Sequence, residues 1–79
     1  MVTENTYKID ITAALENIKR DLDDMEEAGI KQVVLDYFGG AVNEKAFIIA
    51  AKSYVMSRGY ACGHEYDDGD LLIIVRKVA

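Results

Sequence analysis

Residues 6–11 (TYKIDI) alternate cleanly: Tyr7, Ile9 and Ile11 fall on one side, and Thr6, Lys8 and Asp10 on the other. That period of two predicts a half-buried strand. The period then changes. Ile11, Leu15, Ile18, Leu22 and Met25 recur at spacings of four, three, four and three, the stripe of an amphipathic helix turned toward a core. Thr12 is placed to cap its start with the hydroxyl. Gly29 is placed to end it in a left-handed conformation, with Ile30 folding back on the last turn. Alternation returns in KQVVLDYF (31–38), with Val33, Leu35 and Tyr37 on one face and Val34 and Phe38 on the other. Residues 43–58 predict a second helix closed by Gly59, and YACGHEY, DDGD and LLIIVRKV predict a hairpin.

Asp68-Gly69 suits a type I′ turn, which needs positive φ at both central residues. Positions summing to 137 then lie opposite one another: Tyr66 faces Leu71, His64 faces Ile73 and Cys62 faces Val75. Glu65, Leu72, Ile74 and Arg76 share the other face. The resulting order is βαβαββ. The expected fold is a two-layer α/β (α+β) sandwich with two helices on one face of a four-stranded mixed sheet, formed as a single domain over residues 1–79. Its helical crossovers are expected to be right-handed where they join parallel neighbours.

The second helix is apolar on more than one side. At 100° per residue, Phe47, Ala50, Ala51 and Tyr54 form the stripe expected to meet the sheet. Lys45 and Lys52 lie opposite, yet Ile49 and Met56 fall beside them. A domain this small cannot wrap its own helix, so Ile49, Lys52 and Met56 are expected at a self-association surface. Leu72 and Ile74 on the outer sheet face offer a second such patch. The chain is therefore expected to form a homodimer or a higher homo-oligomer.

Two glycines, Gly39 and Gly40, stand between the second strand and the second helix. A helix N-terminus presents unpaired N–H groups and the positive end of the dipole, which can hold an anion. Glycine lets a ligand approach the backbone closely. Gly39, Gly40, Asn43 and Lys45 are thus candidate phosphate contacts, with Lys8 beside them. The same letters also read as a tight strand-to-helix turn with Asn43 as N-cap.

Composition narrows the classes. Half the residues are apolar and 29% are charged, as in a folded domain rather than a disordered chain. No apolar run reaches the length of a membrane span, so no membrane association is expected. The N-terminus lacks the regions of a signal peptide, which predicts a cytoplasmic location. A single cysteine, Cys62, permits no internal disulfide. With one His and one Cys, neither a zinc site nor any other cofactor is expected. Cys62 and His64 share a strand face, but no third orienting group accompanies them, so they read as packing residues rather than nucleophile and base. Asp67, Asp68 and Asp70 read as a solvated hairpin tip, and no catalytic set emerges. The expectation is a protein that is not an enzyme.

The net charge of −5 is uneven. Residues 1–30 hold eight acids (Glu4, Asp10, Glu16, Asp21, Asp23, Asp24, Glu26, Glu27) against three bases (Lys8, Lys19, Arg20), while residues 31–79 hold six of each. The acidic helix over 12–28 is therefore a candidate docking surface for a protein partner.

The element order, the run Gly39-Gly40-Ala41-Val42-Asn43 and the alanine-containing helix that follows together resemble the Alba superfamily and the related SpoVS-like sporulation proteins. The resemblance spans nearly the whole chain and implies a dimeric or higher assembly that binds RNA or DNA. Alba proteins carry basic residues near the first strand-to-helix junction and on the last hairpin. Here those places hold Lys8 and an acidic tip, where Glu65, Asp67, Asp68 and Asp70 would repel phosphate. TusA-type sulfur carriers share the element order, but their Cys-Pro pair is replaced by Ile11-Thr12-Ala13, which leaves no sulfur to carry. Two functions stand: a small non-enzymatic nucleic-acid-binding module, or an acidic adaptor or phage-type inhibitor that binds protein.

Overall fold

The computed structural model describes residues 7–78. Its elements are α1 (Ile11–Ala28), β1 (Gln32–Phe38), α2 (Glu44–Ser57), β2 (Tyr60–Asp67) and β3 (Asp70–Lys77). The three strands form an antiparallel sheet in the order β1-β3-β2, so the last strand in sequence is the central one. Both helices belong to the same small α+β unit.

The hairpin follows its turn chemistry. Asp68 (φ 51°) and Gly69 (φ 86°) both adopt positive φ, and Tyr66, His64 and Cys62 pair with Leu71, Ile73 and Val75. Every second residue of β3, namely Leu71, Ile73 and Val75, is fully buried. Val33, Leu35 and Tyr37 lie in the same rows of β1, partly buried against that core. Phe47, at the centre of the core, takes the edge of the Tyr37 ring at 4.8 Å between centroids. The pair is a favoured edge-to-face contact.

Helix α1 buries Ala14, Ile18, Leu22 and Met25. Its start differs from expectation. Asp10, not Thr12, is the N-cap, its carboxylate accepting from the Ala13 N–H at 3.2 Å, while Thr12 is exposed. A carboxylate also complements the helix dipole, which a hydroxyl one turn inside cannot do. Gly29 ends the helix in the left-handed region at φ 72°, and the N–H groups of Gly29 and Ile30 return to the Met25 carbonyl.

The expected first strand is also corrected. The described sheet has three strands rather than four and is wholly antiparallel rather than mixed. Tyr7–Asp10 joins no ladder; Thr6 lies outside the described residues. The reason lies in where the backbone groups go. The Asn43 side chain accepts from the Ile9 N–H at 2.9 Å and donates to the Ile9 carbonyl at 2.8 Å. The Val42 N–H donates to the Tyr7 carbonyl at 2.9 Å. A side-chain amide thus does for Ile9 what a neighbouring strand would have done.

In α2 the buried set is Phe47, Ile48, Ala51 and Val55. The sheet-facing stripe is therefore rotated from the expected one: Ala50 and Tyr54 are half-buried, and Tyr54 lines a hollow with Thr12, Leu15, Glu16 and Lys19 of α1.

Candidate functional site

The sequence singles out the glycine turn, and the structure shows what its polar groups meet. Gly39 donates to the Gly69 carbonyl of the hairpin turn at 3.1 Å. A Cβ at Gly39 would overlap that same carbonyl oxygen, so close backbone approach requires glycine here. Gly40 adopts φ 87°, which favours glycine for its own reason. Its N–H donates to Glu44 Oε1 at 3.0 Å, and the other oxygen of that carboxylate accepts from the Tyr66 hydroxyl at 2.6 Å. The Glu44 N–H donates to the Ala41 carbonyl. The N–H groups of Gly39, Gly40, Val42 and Glu44 are thus all engaged within the chain, and a carboxylate sits where an anion would approach.

Lys8 and Lys45 are exposed near this turn, while Asn43 is half-buried and spends its side chain on Ile9. The expected candidates Lys8, Gly39, Gly40, Asn43 and Lys45 thus gather at one end of the molecule. The residues that complete the turn, Glu44 and Tyr66, were not singled out from the sequence. An acid four residues after a glycine turn, able to reach back to its N–H, was the available signal.

The two flanks of α2 differ sharply. On the α1 side, Arg58 donates to Asp23 at 2.9 Å, to Glu26 at 3.3 Å and to the Tyr54 hydroxyl at 2.9 Å. The Tyr60 hydroxyl donates to the same Glu26 carboxylate at 2.7 Å. These bonds tie α2 and β2 to α1, and the hydrogen bond to Asp23, then that to Tyr54, holds the Arg58 guanidinium well above its ordinary pKa. On the opposite flank Ile49 and Met56 are 69% and 62% exposed. Lys52 lies between them, half-buried, with its charge felt at Cys62 of β2.

The outer sheet face is a separate surface. Leu72 and Ile74 of β3 are half-buried there, and their row partners include Asp36 and Glu65, and Val34 and Gly63. Phe38 at the end of β1 is 76% exposed. A shallow hollow of about 380 Å³ opens over Gly63, lined by Ala61, Cys62, His64, Glu65, Ile74 and Arg76.

Cys62 and His64 do not form a reactive couple. The thiol donates a long hydrogen bond to the neighbouring Gly63 carbonyl at 3.9 Å, and the imidazole packs edge-on against Tyr66 at 5.9 Å. Burial raises the thiol pKa, outweighing the opposing effect of Lys52, whereas a nucleophile needs it lowered. Among the described residues no three His, Cys, Asp or Glu side chains are placed to hold a metal ion, and no helix is long and apolar enough to cross a membrane.

No family model matches the chain, and comparison with curated proteins and with solved structures returns no significant match.

Proposed function

We propose that this chain is a small, non-enzymatic protein-interaction module that works as a homo-oligomer in the cytoplasm. The observation that carries this reading is the outward flank of α2, where Ile49 and Met56 stand exposed on a helix whose inner side is fully buried. Apolar side chains in such a position lower their free energy by covering one another. The acidic α1 surface adds a second docking face for a basic protein partner.

The nucleic-acid reading draws support from Lys45 and Lys52 on the outward side of α2, which an assembly would multiply. Against it stand the Glu44 carboxylate inside the glycine turn and the acidic hairpin tip, both of which repel phosphate. The resemblance to Alba and SpoVS-like proteins belongs to the same proposal and rests on the Gly39–Asn43 turn and the order from β1 onward, since the expected first strand is not among the described elements.

Sedimentation equilibrium of the full chain, together with anisotropy on mixed RNA and DNA pools at low salt, tests the choice. An oligomer at tens of micromolar with no nucleic-acid binding is the expected result. A monomer that binds nucleic acid, with affinity that falls steeply with salt and drops on Lys45→Glu, overturns it.

A further inference from the structure

Strand β2 closes one side of the sheet, and its outer edge has no partner among the described strands. Exposed edges invite pairing unless charge, proline or a bulge blunts them. From Tyr60 to His64 this edge carries no Asp, Glu, Lys or Arg, and the chain contains no proline. At the other edge of the sheet, β1 is less open: Tyr7 shares a hollow with Asp36, Tyr37 and Phe38.

Helix α2 packs on β2 and against α1. At 100° per residue, with Tyr54 and Ala50 toward α1, Lys52 points the opposite way, and Met56 and Ile49 lie between it and the outward side. That direction lies toward the β2 edge, since α2 packs on β2, the edge strand, with α1 on its other side. The bare strand edge and the exposed apolar flank therefore form one continuous surface.

We infer that this surface binds a second copy of the chain about a two-fold axis through Gly63, β2 pairing antiparallel with β2 and α2 packing antiparallel on α2. The inference rests on the protein-contact reading above and names its partner. A two-fold perpendicular to the sheet keeps each face on its own side. Ala61 then lies opposite Glu65 of the second copy, Cys62 opposite His64, and Tyr60 opposite Tyr66.

Charge favours this register. Arg76 is the row partner of Ala61 and is exposed, bonded through Nε to Gln32 on its other side. In the joined sheet the next residue beyond Ala61 in that row is Glu65 of the second copy. An arginine reaches across one alanine, roughly 10 Å for two strand spacings. Within one chain Arg76 and Glu65 lie four rows apart, about 13 Å, and do not meet. The two-fold makes this pair twice. On the helical layer it sets Met56 near Ile48 and Ile49 of the second copy, again twice. Lys52 meets its own copy near the axis, a like-charge contact that weakens the dimer.

Cross-linking and sedimentation of the full chain test the geometry. Apart from its two sequence neighbours, no heavy atom lies within 4 Å of a Cβ built at Gly63, so Gly63→Cys in a Cys62→Ser background is accommodated. Mild oxidation is expected to link it into a disulfide dimer, while Ala61→Cys in the same background stays monomeric on denaturing gels. Arg76→Glu and Glu65→Arg are each expected to weaken the dimer tenfold or more, and their combination to restore it to within about threefold. Lys52→Met is expected to tighten it. A dimer that ignores all these changes, or singles that weaken it without rescue by the pair, overturns this interface and leaves the protein-contact reading standing. A chain that stays monomeric at high micromolar concentration removes both.

Discussion

The two flanks of α2 are finished in opposite ways. Toward α1 the helix ends in polar closure: Arg58 reaches Asp23, Glu26 and Tyr54, and Tyr60 shares Glu26. Away from α1 it ends in Ile49 and Met56, exposed beside the edge of β2 that has no partner among the described strands. A flank whose polar groups are mutually satisfied has little to offer a partner. A flank that exposes apolar side chains beside open backbone groups still has free energy to gain by burial and pairing. The turn at the N-terminus of α2 belongs with the finished side, because Glu44, Gly69 and Tyr7 take its N–H groups and the Asn43 side chain is spent on Ile9.

That contrast is open to attack at several points. The largest effect is expected at Asn43. Asn43→Ala removes both bonds to Ile9 and leaves a part-buried N–H and C=O without them, so it should cost about 2–4 kcal/mol in urea unfolding. Asn43→Asp, which keeps the acceptor and loses the donor, should recover part of this loss. A change within 0.5 kcal/mol would show that Asn43 does not hold the Ile9 segment at all.

Next comes Gly39→Ala, which drives a methyl group into the Gly69 carbonyl. It should destabilise by about 1–3 kcal/mol, since backbone must move to make room. Gly63→Ala, in open space, is the matched control and should leave the melting temperature nearly unchanged.

Arg58→Ala should cost about 1 kcal/mol or less. The side chain is a quarter exposed and both its carboxylate partners are half exposed, where solvent screens most of the attraction. The loss should shrink further in high salt. On the other flank, Ile49→Ser and Met56→Ser should leave monomer stability within about 0.5 kcal/mol while weakening self-association. A large loss of monomer stability there would erase the contrast between the flanks.

The smallest effect is expected in alkali. The hydrogen bonds to Glu44 and Glu26 raise the Tyr66 and Tyr60 hydroxyls above their usual value of 10.0. A phenol raised in the folded state stabilises fully below the unfolded value, and that contribution is lost as pH rises through the raised one. Stability should therefore fall more steeply above pH 10 in the wild type than in Tyr66→Phe, as followed by thermal melts across that window.

Much of the fold was legible in the chain because it rests on local rules. The hairpin register followed from Asp68-Gly69, and the outer-face positions of Leu72 and Ile74 followed from strand alternation. The failures have a common cause. Residues 7–10 alternate like a strand, yet Asn43, 34 residues from Ile9, takes the backbone groups a ladder would have used. Asn43 looks like an N-cap, yet it makes no capping bond to its own helix. In both cases a distant partner outcompeted a local one, and spacing carries no information about such partners. The candidate site was half legible for the same reason. The two glycines pointed to the turn, but Glu44 and Tyr66, from separate elements, decide what its N–H groups meet.

The sequence by itself determined the helices, the hairpin and its register, and which residues of α1 and of the strands face the core, because 3.6- and 2-residue periods and turn geometry are properties of neighbouring residues; the rotation of α2 was set by its packing. The tertiary structure alone decided that the glycine turn is closed by a carboxylate and that its asparagine holds the Ile9 backbone. It also decided that the open surface lies along β2 and the far flank of α2. Satisfying a buried polar group or covering an apolar one depends on what arrives from elsewhere in the chain.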